Sequence, residues 1–157
     1  MYKTVTGRIM KAVVQRVKQT SLKVESKLIS EIPFGLTVFL GVQCGDSEKE
    51  ADYIVKKIAG LRIFEDENGK MNLSINDVGG EVLLVSQFTL LGDTSHGNRP
   101  SFTLAERPEK AKPLYEYAVS QLEKYGIVVK TGVFGADMQI AQQNDGPVTI
   151  LLETPCK

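Results

Sequence analysis

The sequence predicts an α+β fold: a mostly antiparallel, curved or barrel-like β-sheet with two helices packed on one face, a ββα three-layer arrangement. Three observations carry this expectation. Short stretches rich in β-branched residues recur from Met10 to Glu153, separated by turns containing Gly, Asn and Asp. Two segments with helical periodicity follow Ser47 and Pro108. And 157 residues, 42% apolar and 24% charged, suit one domain able to bury roughly two thirds of its unfolded surface.

Each element has its own warrant. The first nine residues carry no pattern and are expected to form a flexible extension, leaving residues 10–157 as one domain. MKAVVQRV, from Met10, reads as a strand by its β-branched content, although neither face is cleanly apolar. Ser21–Val24 and Leu28–Ile32 suggest two further short strands of a meander. Leu36–Val42, LTVFLGV, is a continuous apolar run and fits a strand buried on both faces. Ser47 followed by Glu50 has the spacing of a capping box. Behind it Ala51, Ile54, Val55, Ile58 and Leu61 repeat at helical spacing. Asp66-Glu67-Asn68-Gly69 reads as a turn. Glu81–Phe88, EVLLVSQF, is a strand with a buried centre, and Gly92–Pro100 is a long polar loop. A second helix lies within Pro108–Tyr125, with Leu114, Tyr117, Ala118, Leu122 and Tyr125 on one face. Pro113 is tolerated only near a helix start, which favours a beginning later than Pro108. Strands at Ile127–Thr131 and Val148–Glu153 close the chain.

Composition narrows the function classes. Lys+Arg and Asp+Glu are equal at 19 each, so any nucleic-acid contact relies on a local basic patch rather than a global field. The apolar runs are shorter than the roughly 20 residues a membrane helix needs, and Met1–Arg8 lacks the apolar centre of a secretory signal. Cys44 and Cys156 match no metal or redox spacing and read as reduced thiols of a cytoplasmic protein. His96 is the single histidine, which leaves no multi-histidine metal site and only one candidate base for a Ser-His-Asp triad. No P-loop, GxGxxG or HExxH occurs, so neither a metal nor a nucleotide cofactor is expected.

Two segments interrupt buried strands with polar groups. In Ser86-Gln87-Phe88-Thr89-Leu90, hydroxyls and an amide emerge at the end of a core strand, where a rigid scaffold presents functional groups. They could equally satisfy local backbone groups. Asn144-Asp145-Gly146-Pro147 reads as a turn leading into Val148 and Thr149 of the last strand.

VSQFTL (Val85 to Leu90) and NDGPVT (Asn144 to Thr149) together resemble the two signature motifs of the D-aminoacyl-tRNA deacylase family. MKAVVQRV at Met10, GNRPSF at Gly97 and FGADM at Phe134 match as well, in the family's order and over nearly the whole chain. The resemblance implies a homodimeric hydrolase that removes D-amino acids, and glycine, from tRNA without a cofactor. Its site would lie at the subunit interface, where a cis Gly146-Pro147 bond enters the partner's pocket and rejects L-amino acids with main-chain atoms. Arg16 would hold the Gly-Pro loop and Met138 would line the pocket, with Val148 and Thr149 beside them. Ser86, Gln87, Phe88 and Thr89 would form the catalytic segment. Thr89 is a candidate nucleophile without an evident base. The alternative is that backbone N–H groups around Gln87, Phe88 and Thr89 position the ester while the tRNA's terminal 2′-OH and a water do the chemistry. Ser86 and Phe88 would hold the terminal adenosine.

The sequence departs from the family in the loop before GNRPSF, where basic residues give way to Thr94-Ser95-His96. Arg99, Arg107, Lys110 and Lys112 remain nearby as a local basic patch. Two rival readings stay open: a non-catalytic RNA-binding or interaction module on the same fold, and an esterase or peptidase built on Ser86 or Ser101 with His96.

Overall fold

The computed structural model describes residues 9–155; all but the last residue of the proposed N-terminal extension, together with Cys156, lies outside the described residues. Three of the five pairings in the main sheet are antiparallel and all of them involve β1 (Lys11–Val24), which pairs with β2 (Lys27–Ile32), β3 (Gly35–Gly41) and β8 (Gln139–Glu153). β6 (Glu81–Ser86) instead runs parallel to β3 and to β7 (Val128–Thr131). The connections explain this mixture. α1 (Glu48–Gly60) lies between β3 and β6, and α3 (Pro108–Lys124) between β6 and β7, so each is the crossover a parallel pair requires. The all-apolar character of β3 and β6 is the mark of strands covered on both faces. β2 curls back toward β7, where the Ser30 hydroxyl donates to the Thr131 carbonyl at 2.5 Å. The sheet is therefore nearly closed, the barrel-like form expected.

Both long helices cover one face. Met10, Ala12 and Val14 of the first strand region, Leu36, Val38 and Leu40 of β3, and Val82 and Leu84 of β6 pack against Ala51, Ile54 and Ile58 of α1 and Ala118 and Leu122 of α3. Residues of opposite parity, Leu83 and Val85, join Val17, Leu22 and Ile32 in a second cluster on the far side. Among the described residues no helix is long and apolar enough to cross a membrane.

Several boundaries differ from the sequence reading. The two expected strands Met10–Val17 and Ser21–Val24 are one 14-residue strand. Thr20 and Thr37 are fully buried and share a 2.8 Å hydroxyl bond, so the polar interruption is satisfied inside the sheet. A third helix of four residues, α2 (Ile75–Val78), follows the Phe64–Glu65 (β4) and Met71–Leu73 (β5) hairpin; Ser74 caps it with Asp77, and Gly79 ends it at φ 68°. α1 begins as expected, the Glu50 carboxylate accepting from the Ser47 N–H at 2.7 Å and hydroxyl at 2.6 Å. α3 starts at Pro108 itself, with Pro113 inside it. Its buried stripe is Ala111, Tyr115, Ala118 and Leu122, rotated from the expected one, so Tyr125 is exposed. Tyr115 replaces Tyr117 in the core because its hydroxyl reaches the Leu84 carbonyl at 2.6 Å, while the Tyr117 hydroxyl bonds Asp52 near the surface.

Candidate active site

The last strand holds the largest departure from the sequence reading. Asn144–Pro147 is not a turn before a strand but a segment within the 15-residue β8. Its register with β1 shows what it does. Gln15 pairs with Thr149 and Val17 with Asn144, so residues 145–148 all stand opposite Arg16. The excess chain leaves the ladder as a bulge. Gly146 takes φ 123°, outside the range ordinary side chains adopt, and a Cβ there would meet the Val148 side chain at 2.9 Å. The Gly146-Pro147 bond is cis, as the resemblance implied, and both residues are exposed.

Arg16 holds the base of this projection. Only 5% exposed, it is not the surface arginine an edge strand would carry. Its Nε donates to the Asp145 carbonyl at 3.2 Å and lies 3.4 Å from the Asp145 carboxylate. Its Nη1 donates to the buried Ile63 carbonyl at 2.7 Å. A planar guanidinium can address such divergent acceptors at once.

The other predicted segment opens a cavity of about 600 Å³, a size usual for small-ligand sites. Ser86, Gln87 and Phe88 at the end of β6 form one wall, and Phe134 to Met138 another. Phe102 and the chain from Ala105 to Pro108 form the third. Phe88 is 54% exposed and meets Phe102 edge to face, centroids 5.2 Å apart. Met138 both lines the cavity and packs on the second core cluster. The Glu106 carboxylate is held below its usual range, first by the Gly45 N–H at 2.9 Å and then by the Arg107 N–H at 3.0 Å.

Thr89 does not line this cavity. It borders a smaller hollow of about 300 Å³ with Val13, Gln15, Phe39, Leu90 and Gln87, the last of which lines both spaces. The Gln87 side-chain amide donates to the Thr89 hydroxyl oxygen. Among the backbone donors the sequence suggested, the Gln87 N–H is already committed to the Leu40 carbonyl at 2.8 Å. Those of Phe88 and Thr89 precede the first hydrogen bond of the 3₁₀ turn Phe88–Leu91, in which the Leu90 N–H reaches the Gln87 carbonyl. Gly146, Pro147, Val148, Thr149 and Arg16 line neither space, although Gln15, which borders the Thr89 hollow, pairs with Thr149 across the sheet and donates to its hydroxyl at 3.5 Å. His96, the single histidine, lines neither space.

Known proteins resemble this chain in sequence and in fold. The sequence profile described as D-Tyr-tRNA(Tyr) deacylase matches residues 13–153. The chain belongs to this family. A D-aminoacyl-tRNA deacylase of Koribacter versatilis (strain Ellin345) is 59% identical over 145 residues, covering 92% of this chain and 97% of its own. One from Geotalea uraniireducens (strain Rf4) is 55% identical over 146 residues, covering 93% and 94%. Among solved structures, "c-Myc DNA Unwinding Element Binding Protein" is 47% identical with a TM-score of 0.88, covering 93% of this chain and 99% of that one. A structure described as "Structural Analysis of a probable eukaryotic D-amino acid tRNA deacylase" shares the fold at a TM-score of 0.81 and 15% identity, covering 93% and 100%. Ser86 to Phe88 thus fall on the cavity wall, and Asp145 to Val148 form the bulge of β8.

Proposed function

We propose that this deacylase-family enzyme hydrolyses the ester of D-aminoacyl-tRNA, and of glycyl-tRNA, as a homodimer in which the Gly146-Pro147 projection of each subunit completes the other's site. The observation that carries the reading is the placement just described. The projection is exposed, held at its base by Arg16 and lines no part of its own chain's cavity, whose wall carries Ser86, Gln87 and Phe88. An exposed, anchored element that lines neither space of its own chain is available to the site of a second copy.

The surface around it supports the dimer. Leu151 is 73% exposed and pairs across the sheet with Val13, which pairs with Phe39. This half-exposed apolar row lies beside the Thr89 hollow, and among the described residues β8 pairs only with β1, leaving its other edge without a strand partner there. Such long edges are normally covered.

The chemistry follows from the groups at the wall. The Thr89 oxygen accepts from an amide, and among the described residues lining its hollow none can act as a base, so it is a poor nucleophile. Instead the Phe88 and Thr89 N–H groups stabilise the oxyanion as water adds to the ester carbon. The bond to the ribose 3′ oxygen then breaks. The neighbouring 2′-OH relays the proton, and free amino acid and tRNA leave. Phe88, beside Ser86, stacks on the terminal adenosine. Thr149 and Val148 flank the main-chain atoms of Gly146 and Pro147, against which an L side chain would collide. A D side chain points elsewhere and glycine has none. The substrate places the enzyme in the cytoplasm, where tRNA is charged.

Matched D- and L-aminoacyl-tRNA, with glycyl-tRNA as a third substrate, test the reading. Release of D-amino acid and glycine with the L-ester spared is expected. Thr89→Ala should retain activity within about tenfold; a loss of four orders of magnitude would restore Thr89 as the nucleophile. Binding of tRNA without cleavage of any ester would favour the non-catalytic nucleic-acid-binding alternative.

A further inference from the structure

The main cavity has apolar walls and a single cation on its lining, Arg107. The other charged residues that line it are Glu106 and Asp137. Both oxygens of Glu106 are engaged within the wall itself, by the Gly45 and Arg107 N–H groups. The backbone beneath Arg107 is fastened on both sides. Before it, the Glu106 N–H donates to the Val42 carbonyl at 2.9 Å and Gln43 bridges to Ala105. After it, the Arg107 carbonyl receives the Lys110 and Ala111 N–H groups at 3.0 and 2.8 Å, opening α3. The side chain is exposed and forms no ion pair among the described residues. A cation on a rigid backbone, beside the aromatic walls of Phe88, Phe102 and Phe134, suits a ligand with a planar ring inside and an anion at the entrance.

Resting on the deacylase reading, in which the terminal adenosine occupies this cavity, we infer that Arg107 binds the phosphodiester joining that adenosine to the preceding nucleotide. The guanidinium donates to the non-bridging oxygens and fixes how deeply the ester enters. Arg107 is thus a positioning residue that senses the substrate as the end of a polynucleotide rather than as a free nucleoside. Lys110 and Lys112, in the first turns of the same helix, line no part of the cavity; Asp137, across it, keeps the phosphate on the Arg107 side by repulsion.

The test compares two unreactive probes, the D-alanyl amides of 3′-amino-3′-deoxyadenosine and of the dinucleotide CpA bearing it. Binding is measured by calorimetry on the full-length protein and on Arg107→Gln and Arg107→Lys. The wild type should prefer the dinucleotide by about tenfold, the scale of one exposed charge-assisted phosphate contact. That ratio should collapse toward one in Arg107→Gln and largely return in Arg107→Lys. The wild-type preference for the dinucleotide should narrow as salt screens the exposed charge pair, whereas the ratio in Arg107→Gln should be insensitive to salt. An equal ratio in wild type and Arg107→Gln, or an equal loss for both probes, overturns the inference. Because the probes are not cleaved, this outcome is independent of whether D-esters are hydrolysed.

Discussion

Replacing Arg16 by methionine tests how firmly the Gly146-Pro147 projection is held. Methionine keeps much of the apolar stem and removes the three polar contacts. The Ile63 carbonyl, buried and bonded at 2.7 Å, then loses its donor, which costs about 1–3 kcal/mol. Asp145 is different: its side chain is 37% exposed, so water replaces most of its contact and the ion pair contributes about 0–1 kcal/mol. The Ile63 contact therefore dominates, and a loss near 2–3 kcal/mol is expected. For a chain of this size that lowers Tm by roughly 5–10 °C. Urea unfolding gives the direct reading, a lower midpoint at unchanged slope. The same variant should lose selectivity between D- and L-aminoacyl-tRNA more than it loses turnover, since the projection loosens while the cavity wall is untouched. An unfolding free energy within ~0.5 kcal/mol of wild type would refute the assignment of Arg16 as the clamp. A stability loss with selectivity intact would show that the projection keeps its place without it.

Three further outcomes follow from local geometry. A Cβ at Gly41 would approach the Leu91 side chain at 2.6 Å and the Gln87 carbonyl at 3.0 Å, so Gly41→Ala should cost about 1–3 kcal/mol in urea unfolding and lower kcat by displacing the 3₁₀ turn. Burial pushes the Tyr115 phenol up to about 12 from an ordinary value of 10.0; between these pH values the unfolded chain binds fewer protons than the native one. Its contribution is therefore full below pH 10 and is lost as pH rises toward 12, so urea midpoints above pH 10 should fall more steeply for wild type than for Tyr115→Phe. Leu151→Lys places a charge in the exposed apolar row and should convert the proposed dimer to monomer in sedimentation, with loss of D-ester hydrolysis; an intact dimer would move the interface elsewhere.

Much of the fold was legible because burial leaves a periodic trace. The continuous apolar runs of β3 and β6 and the helical repeat from Ala51 to Ile58 record which faces meet the core. The parallel direction of β6 left no local mark; it follows from α1 and α3 acting as crossovers, a matter of connectivity in three dimensions. α3 was misread by rotation because Tyr115 and Tyr117 are equally apolar on paper. Their hydrogen-bond partners, Leu84 on β6 and Asp52 on α1, come from distant parts of the chain.

The site divides the same way. From the sequence alone, the motifs at Ser86–Thr89 and Gly146–Thr149, Arg16 and Met138 could be marked, and the family with them, because these are statements about residue type and spacing. Only the tertiary structure decided that Arg16 is buried, that the Gln87 N–H is already committed, that Thr89 faces a different hollow from Ser86, and that Arg107 stands on the cavity rim. Spacing along one strand does not specify which partner the neighbouring strand supplies. Register does: three residues more on β8 than on β1, opposite Arg16, turn an ordinary Asp-Gly-Pro sequence into an exposed projection from the sheet.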